Sequence, residues 1–325
     1  MTETAVERMF SPAAIDDLIA APTARGDLSV LHDQAVVAVD CSSGVPGSGT
    51  LATLRSLPIV TVGVGGRHEA FDVIVDDDGE LSSLASAIAA NPQASVTLAQ
   101  VLRLGDALSP IDALVAESLA YATLQGGTEF ARWLAGRGAR VRRPEAEPPL
   151  VMTRDGDLLR VVLNRPRVHN LYNAAMRDAL VDALVVVAAD PQLRVEITGA
   201  GRSFCAGGDL AEFGSVSDAT TAHLIRSSAN AAPYLLTLAD RLTVRAHGAC
   251  VGAGIELAAF ARRVHASEDA FFQLPEVSMG LIPGAGGTVS IVGRIGRQRA
   301  AWMALTGRRV DARTALGWGL VDLID

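Results

Sequence analysis

Two glutamates, Glu256 and Glu276, sit in contexts that suit proton transfer. Glu256 follows the small-residue run His247-Gly248-Ala249-Cys250-Val251-Gly252-Ala253-Gly254-Ile255, and Glu276 closes the largely apolar Phe271-Phe272-Gln273-Leu274-Pro275. A carboxyl group in apolar surroundings has its pKa raised and exchanges protons near neutrality, so such a pair could activate a water and protonate a carbon. A second small-residue run, Phe204-Cys205-Ala206-Gly207-Gly208-Asp209-Leu210, lies upstream. Small residues let a ligand reach backbone N–H groups, and where such a loop leads into a helix those groups are first-turn donors at the positive end of the dipole. This is what an oxyanion requires, and losing one such donor typically costs about 2.7–4 kcal/mol. Taken singly, each feature has a plainer reading as a close-packed turn or a solvated carboxylate.

The elements that must position these groups repeat strand, turn and helix from about residue 150 to 325. Leu158–Leu163 reads as a strand after the Asp155-Gly156-Asp157 turn. Asn173 is placed to cap a helix whose Met176, Leu180, Ala183, Leu184 and Val187 share one face and which stops at Asp190-Pro191. Val195–Thr198 and Leu242–Arg245 are further strands, and a small-residue loop follows each.

Upstream, short β-branched runs at 36–39, 58–62 and 71–75 alternate with glycine-rich or acidic turns, which predicts a small α/β piece. Its Gly44–Thr50 segment resembles a phosphate-binding loop but has Thr50 where that loop needs lysine, so it reads as a tight turn. Gly63, Gly65 and Gly66 fail the dinucleotide fingerprint because His68 takes the third glycine's place. From Leu81 to Gly138 the period turns helical and predicts two or three helices. One of them starts at Ser109-Pro110 with Ile111, Leu114, Val115, Leu119 and Ala122 on its apolar face. The Arg- and Pro-rich stretch from Arg140 to Pro149 reads as a linker, dividing an α/β and helical region over 1–145 from a core over 146–325.

Composition bounds the chemistry. A net charge of −8 argues against a nucleic-acid partner. The chain has no lysine, which rules out a lysine Schiff base and lysine-tethered pyridoxal phosphate. Cys41, Cys205 and Cys250 match no zinc or disulfide spacing, so a metal site is not expected. The first residues lack both a basic region and an apolar run, and no stretch reaches membrane-spanning length, which leads us to expect a cytoplasmic protein.

The second half resembles the crotonase family, also called the enoyl-CoA hydratase/isomerase superfamily. The matching stretches are Leu163-Asn164-Arg165-Pro166 with Asn170, then Phe204–Phe213, His247–Phe260, Phe272–Thr288 including Ile282-Pro283-Gly284-Ala285-Gly286-Gly287-Thr288, Leu305-Thr306-Gly307 and Gly319-Leu320-Val321. The resemblance implies an α/β fold whose core is a spiral of ββα units, and a chemistry in which two backbone N–H groups, here those of Gly208 and Ala253, stabilise a thioester enolate. It implies that Glu256 helps to hold and activate a water and that Glu276 supplies a proton to the α-carbon. Arg165 and Arg167 fall where the family contacts coenzyme A, beside Ala206, Asp209 and Leu210 in the first loop; Asp209 equally suits a local Asx-type hydrogen bond, and His247 a packing role. The expectation is therefore an enoyl-CoA hydratase acting on an acyl-CoA substrate as a homotrimer or hexamer, with coenzyme A as part of the substrate and no separate cofactor. Two alternatives are an isomerase using Glu276 alone and a non-catalytic acyl-CoA-binding subunit.

The chain departs from the family's pattern at its end. Family members continue past the Gly-Leu-Val position into helices that cover the active site, whereas this chain ends at Asp325. The stretches at 90–94, 116–121 and 130–135 resemble that helical tail, placed ahead of the core, and should pack against it.

Overall fold

The computed structural model describes residues 9–138, 147–216 and 218–325. Residues 140–146, most of the expected linker and with it the proposed boundary, lie outside the described residues, as do the first eight. The chain opens with β1 (Met9–Phe10), α1 (Pro12–Ala20), α2 (Ala24–Asp27), β2 (Val36–Asp40), α3 (Ser48–Ser56), β3 (Val60–Val64) and β4 (Val73–Val75). The four strands form a parallel sheet in the order β1-β2-β3-β4. Both faces of β2 and β3 are buried, as continuous β-branched runs predict for a parallel sheet. Val37 and Val39 pack into one apolar cluster, while Val36, Ala38, Val60 and Val62 face another. The loop that resembled a phosphate site is a turn into α3, and Asp16 Oδ1 accepts the Gly47 N–H at 3.0 Å.

Four helices follow: α4 (Asp78–Ala90), α5 (Pro92–Gly105), α6 (Pro110–Gln125) and α7 (Thr128–Gly136). This is one more than the upper expectation, since Asn91-Pro92 and Gly126-Gly127 each break the pattern. The first-turn donors of α5 are taken by a buried carboxylate of α7, with Glu129 accepting from Gln93 N at 2.8 Å and Ala94 N at 2.9 Å. Ser109 caps α6 as expected, but the buried face is not the expected one. Leu114 and Ala122 are buried, yet Ile111, Val115 and Leu119 are 46%, 43% and 51% exposed, and the inward positions include Glu117, Ser118 and Tyr121. The inward face meets backbone N–H groups, so it carries a polar stripe that a count of apolar residues overlooks.

The remaining elements are β5 (Leu150–Asp155), β6 (Leu158–Leu163), α8 (Ala174–Ala189), β7 (Arg194–Gly199), α9 (Ala219–Ser228), α10 (Ala232–Leu238), β8 (Leu242–Ala246), β9 (Ala249–Val251), α11 (Ala253–Ala258), β10 (Arg263–Ala266), β11 (Phe271–Gln273), α12 (Gly287–Ile295), α13 (Arg297–Thr306), β12 (Val310–Asp311), α14 (Ala312–Trp318) and β13 (Leu323–Ile324). A six-stranded sheet runs β13-β10-β8-β7-β6-β5, parallel except at the β5-β6 hairpin, and a three-stranded sheet runs β12-β11-β9. The chain passes from β8 to β9 and from β10 to β11, leaving the large sheet for the small one before turning helical. This is the ββα repeat expected of the core.

One apolar cluster continues from β2–β4 through α4–α7 into the core sheet and helices. Polar ties reinforce it. Asp72 accepts from Thr61 N, from Arg103 Nε and from Arg297 Nη1 at 2.8, 2.8 and 3.0 Å, linking the first sheet to α5 and α13. Breaking such a buried pair from one side typically costs about 3–5 kcal/mol, because the remaining charge is left unpaired. No helix among the described residues is long and apolar enough to cross a membrane.

Candidate active site

The site forms where β9 and β11 of the small sheet end. Gly252 closes β9 with φ of +48°, and a Cβ there would lie 2.3 Å from Glu276 Oε1, so glycine is required both for the turn and for the approach of the carboxylate. Ala253 opens α11 directly afterwards, and Glu256 lies in its first turn. The Gly208 loop runs alongside, held by Tyr172 N donating to Gly207 O and Asp209 N donating to Tyr172 O, both at 2.8 Å. The N–H groups of Gly208 and Ala253 have no protein acceptor among the described residues.

Both sequence-predicted glutamates are buried, Glu256 at 2% and Glu276 at 8% exposure. Glu256 Oε2 accepts from Ala285 N at 2.7 Å and from Gly287 N at 2.9 Å, whereas Glu276 Oε2 is buried with no hydrogen bond. Burial pushes the Glu276 carboxyl up to about 8, with the charge of Glu117 adding to the shift and its own backbone N–H opposing it. Burial and then the charges of Glu276 and Glu117 raise Glu256 well above the usual carboxylate range, against the two N–H donors. Two carboxyl groups interacting in a desolvated site do not both ionise, so the pair retains a proton near neutral pH. The two N–H donors favour charge on Glu256, whereas Glu276 Oε2 has no such donor.

Gly208, Ala253, Glu256 and Glu276 line one cavity of about 390 Å³, which Tyr121 and Arg226 also line. A second cavity of about 610 Å³ lies on the side of Arg165 and the 206–211 loop. The two share Gly208, Asp209, Phe213 and Glu276, so a ligand lying across both would pass the glutamate and the first N–H donor. A larger cavity of about 910 Å³ between the first sheet and α13 contains none of these groups. Among the described residues no group of three or more His, Cys, Asp or Glu is placed to hold a metal ion.

The other predicted residues divide by position. Ala206, Asp209 and Leu210 line the second cavity. Asp209 Oδ1 makes the Asx-type bond to Ala211 N at 3.1 Å, and its Oδ2 pairs with Arg165 Nη2 at 3.1 Å. Arg165 is thus engaged within the protein, while Arg167 is exposed. His247 Nε2 lies 3.0 Å from Gly201 O, a packing position at the strand end.

Sequence reasoning missed three residues. Glu117, 1% exposed on α6, accepts from Gly286 N at 2.8 Å, from Thr288 N at 3.0 Å and from Thr288 Oγ1 at 2.7 Å. It lies behind the turn that holds Glu256, and burial raises it to about 7 against these donors and Arg226. Tyr121, one helical turn on, packs so tightly against the 284–287 turn that a Cβ at Gly284 would sit 2.4 Å from its ring. Arg226 comes from α9. The available signal was the Glu117/Tyr121 spacing on one helix face, which apolar periodicity does not weigh.

The family model described as enoyl-CoA hydratase/isomerase matches residues 153–325. The 2,3-dehydroadipyl-CoA hydratase of Escherichia coli (strain K12) is 37% identical over 173 residues, which are 53% of this chain and 67% of that protein. The crystal structure of an enoyl-CoA hydratase from Mycobacterium smegmatis is similar with a TM-score of 0.50 and 31% identity, covering 55% of this chain and 70% of that one. A putative enoyl-CoA hydratase from Thermobifida fusca YX, solved in complex with acetoacetyl-CoA, has a TM-score of 0.50 and 26% identity, covering 55% of this chain and 73% of that one.

Proposed function

The chain belongs to the crotonase, or enoyl-CoA hydratase/isomerase, family, and from that premise we propose that it hydrates 2-enoyl-CoA thioesters by syn addition of water through an oxyanion-stabilised enolate. The observation that carries this reading is the pair Glu256 and Glu276, buried in the same cavity as the unpartnered N–H groups of Gly208 and Ala253.

The thioester carbonyl oxygen accepts from the two N–H groups, which draws electron density off the conjugated double bond. Glu256, held by Ala285 and Gly287, takes a proton from a water as that water attacks the β-carbon. The π-electron pair moves to the α-carbon and carbonyl oxygen, giving the enolate, and protonated Glu276 then delivers its proton to the α-carbon. Exchange with solvent returns Glu256 to the carboxylate and Glu276 to the acid. The acyl group occupies the cavity of about 390 Å³ and the coenzyme A arm the cavity beside Ala206, Asp209 and Leu210. Arg167 is exposed and available to the phosphates, while Arg165 acts indirectly by holding Asp209.

The test is incubation with 2-enoyl-CoA thioesters of varied length, following loss of the conjugated absorbance together with the mass gain of one water. Double-bond migration without mass gain, or no reaction across the series, would contradict the proposal.

A further inference from the structure

The cavity lined by Glu256 and Glu276 also carries a cation, Arg226. Arg226 lies over the Tyr121 ring, its guanidinium carbon 4.1 Å from the centroid, and Nη2 donates to Gln125 Oε1 at 3.2 Å. The helix that bears it is tied to α6 by the 2.9 Å bond between Ser118 Oγ and His223 Nδ1, so the guanidinium has a fixed station. Nη1 is buried and has no hydrogen-bond acceptor. Burial works against the charge, with Tyr121, Glu117 and Glu256 countering it, but a guanidinium stays protonated in a protein. The Tyr121 hydroxyl also makes no hydrogen bond among the described residues, and Asn230 borders the same cavity. Arg177, the other arginine on that lining, is occupied by Asp178 at 2.7 Å.

A buried donor without an acceptor costs free energy, and a plain alkyl chain filling the cavity would exclude the water that could otherwise satisfy it. A planar acceptor of opposite charge removes the cost and matches the guanidinium geometry. We propose that Arg226 reads a carboxylate at the distal end of the acyl group, so that the substrates are coenzyme A monothioesters of unsaturated dicarboxylic acids. This rests on the reading that the acyl group enters the cavity lined by Glu256 and Glu276. Arg226 is then a specificity residue.

The experiment compares two 2-enoyl-CoA thioesters of equal chain length, one ending in a methyl and one in a carboxylate, on the full chain and on Arg226→Leu and Arg226→Lys. Binding of the corresponding saturated pair is measured by calorimetry alongside. The carboxylate thioester should be favoured in kcat/KM and in affinity, and Arg226→Leu should lower that preference about 10- to 100-fold, the usual worth of a charge-assisted hydrogen bond. Arg226→Lys, which keeps the charge, should retain part of it. If neither enoyl thioester is hydrated while the carboxylate analogue still binds more tightly through Arg226, the hydratase reading fails and the substrate class stands. Equal or weaker binding of the carboxylate analogue overturns the proposal. So does an equal loss on both substrates in Arg226→Leu, which would make Arg226 a counter-ion of the glutamates.

Discussion

Glu117 and Glu256 grip alternate N–H groups of a single turn: Ala285 and Gly287 donate to Glu256, Gly286 and Thr288 to Glu117. Successive N–H groups of this segment point to opposite sides, so it is clamped between a carboxylate in the cavity and one behind it. The first donors of α12 are thereby satisfied without solvent, and the orientation of Glu256 depends on a residue about 140 positions earlier in the chain.

Glu117→Gln keeps the volume but replaces one accepting oxygen with an amide donor facing N–H groups. It should lower kcat about tenfold by loosening Glu256, with a smaller change in KM, and lower Tm, since an unsatisfied buried group costs about 1–3 kcal/mol. Steady-state kinetics and thermal melts on the same preparation check this. A lower Tm with full kcat would assign Glu117 to stability alone.

Gly208→Pro removes the N–H proposed as the first oxyanion donor and should abolish turnover. A side chain at this position also meets Phe213, since a Cβ would lie 2.9 Å from its ring. Gly208→Ala, which retains the N–H, separates the two effects: it should keep measurable activity where the proline variant has none. Near-normal activity in a folded proline variant would remove Gly208 from the mechanism.

The pH dependence follows from the raised carboxyl groups. In the proposed hydration Glu276, pushed up to about 8 by burial, donates as the acid, so kcat/KM should fall above about pH 8. For stability, Glu117 and Glu276 bind protons more tightly folded than unfolded, where the ordinary value of 4.5 applies. Their contribution is complete below about pH 4.5 and is lost as pH rises through about 7 and 8, by at most about 1.4 kcal/mol per pH unit per group. Urea midpoints should therefore decline across that window, and Glu276→Gln should flatten the decline. A rise across the window would contradict the assignment.

The glutamate pair and its loops were legible in sequence through their order among motifs that resemble the crotonase family's, since each taken singly reads as a tight turn or a solvated carboxylate. The strands and the Asn173 and Ser109 caps were legible because period and capping chemistry are local. Glu117 and Tyr121 were not, because they reach the site from a helix distant in sequence, and Arg226 was not, because its role depends on packing. The reading of α6 failed on its own terms, since Ile111, Val115 and Leu119 follow helical spacing yet face outward, while Glu117 and Ser118 face in.

A fragment covering 150–325 should aggregate or lose activity. It lacks Glu117 and Tyr121, leaves the N–H groups of Gly286 and Thr288 unsatisfied, and exposes the part of the apolar cluster that α4–α7 cover. Light scattering and turnover of the fragment against the full chain decide the matter; a soluble, fully active fragment would show the core to be self-sufficient.

The central claim is that Glu276 is the proton donor in hydration, and the most direct measurement is turnover of a 2-enoyl-CoA thioester by Glu276→Gln beside the full-length wild-type chain. The glutamine side chain fills the same space but cannot deliver the proton, so kcat should fall by about 10²–10⁴ with the fold unchanged by circular dichroism. Hydration by the wild type with undiminished turnover in Glu276→Gln would contradict the account.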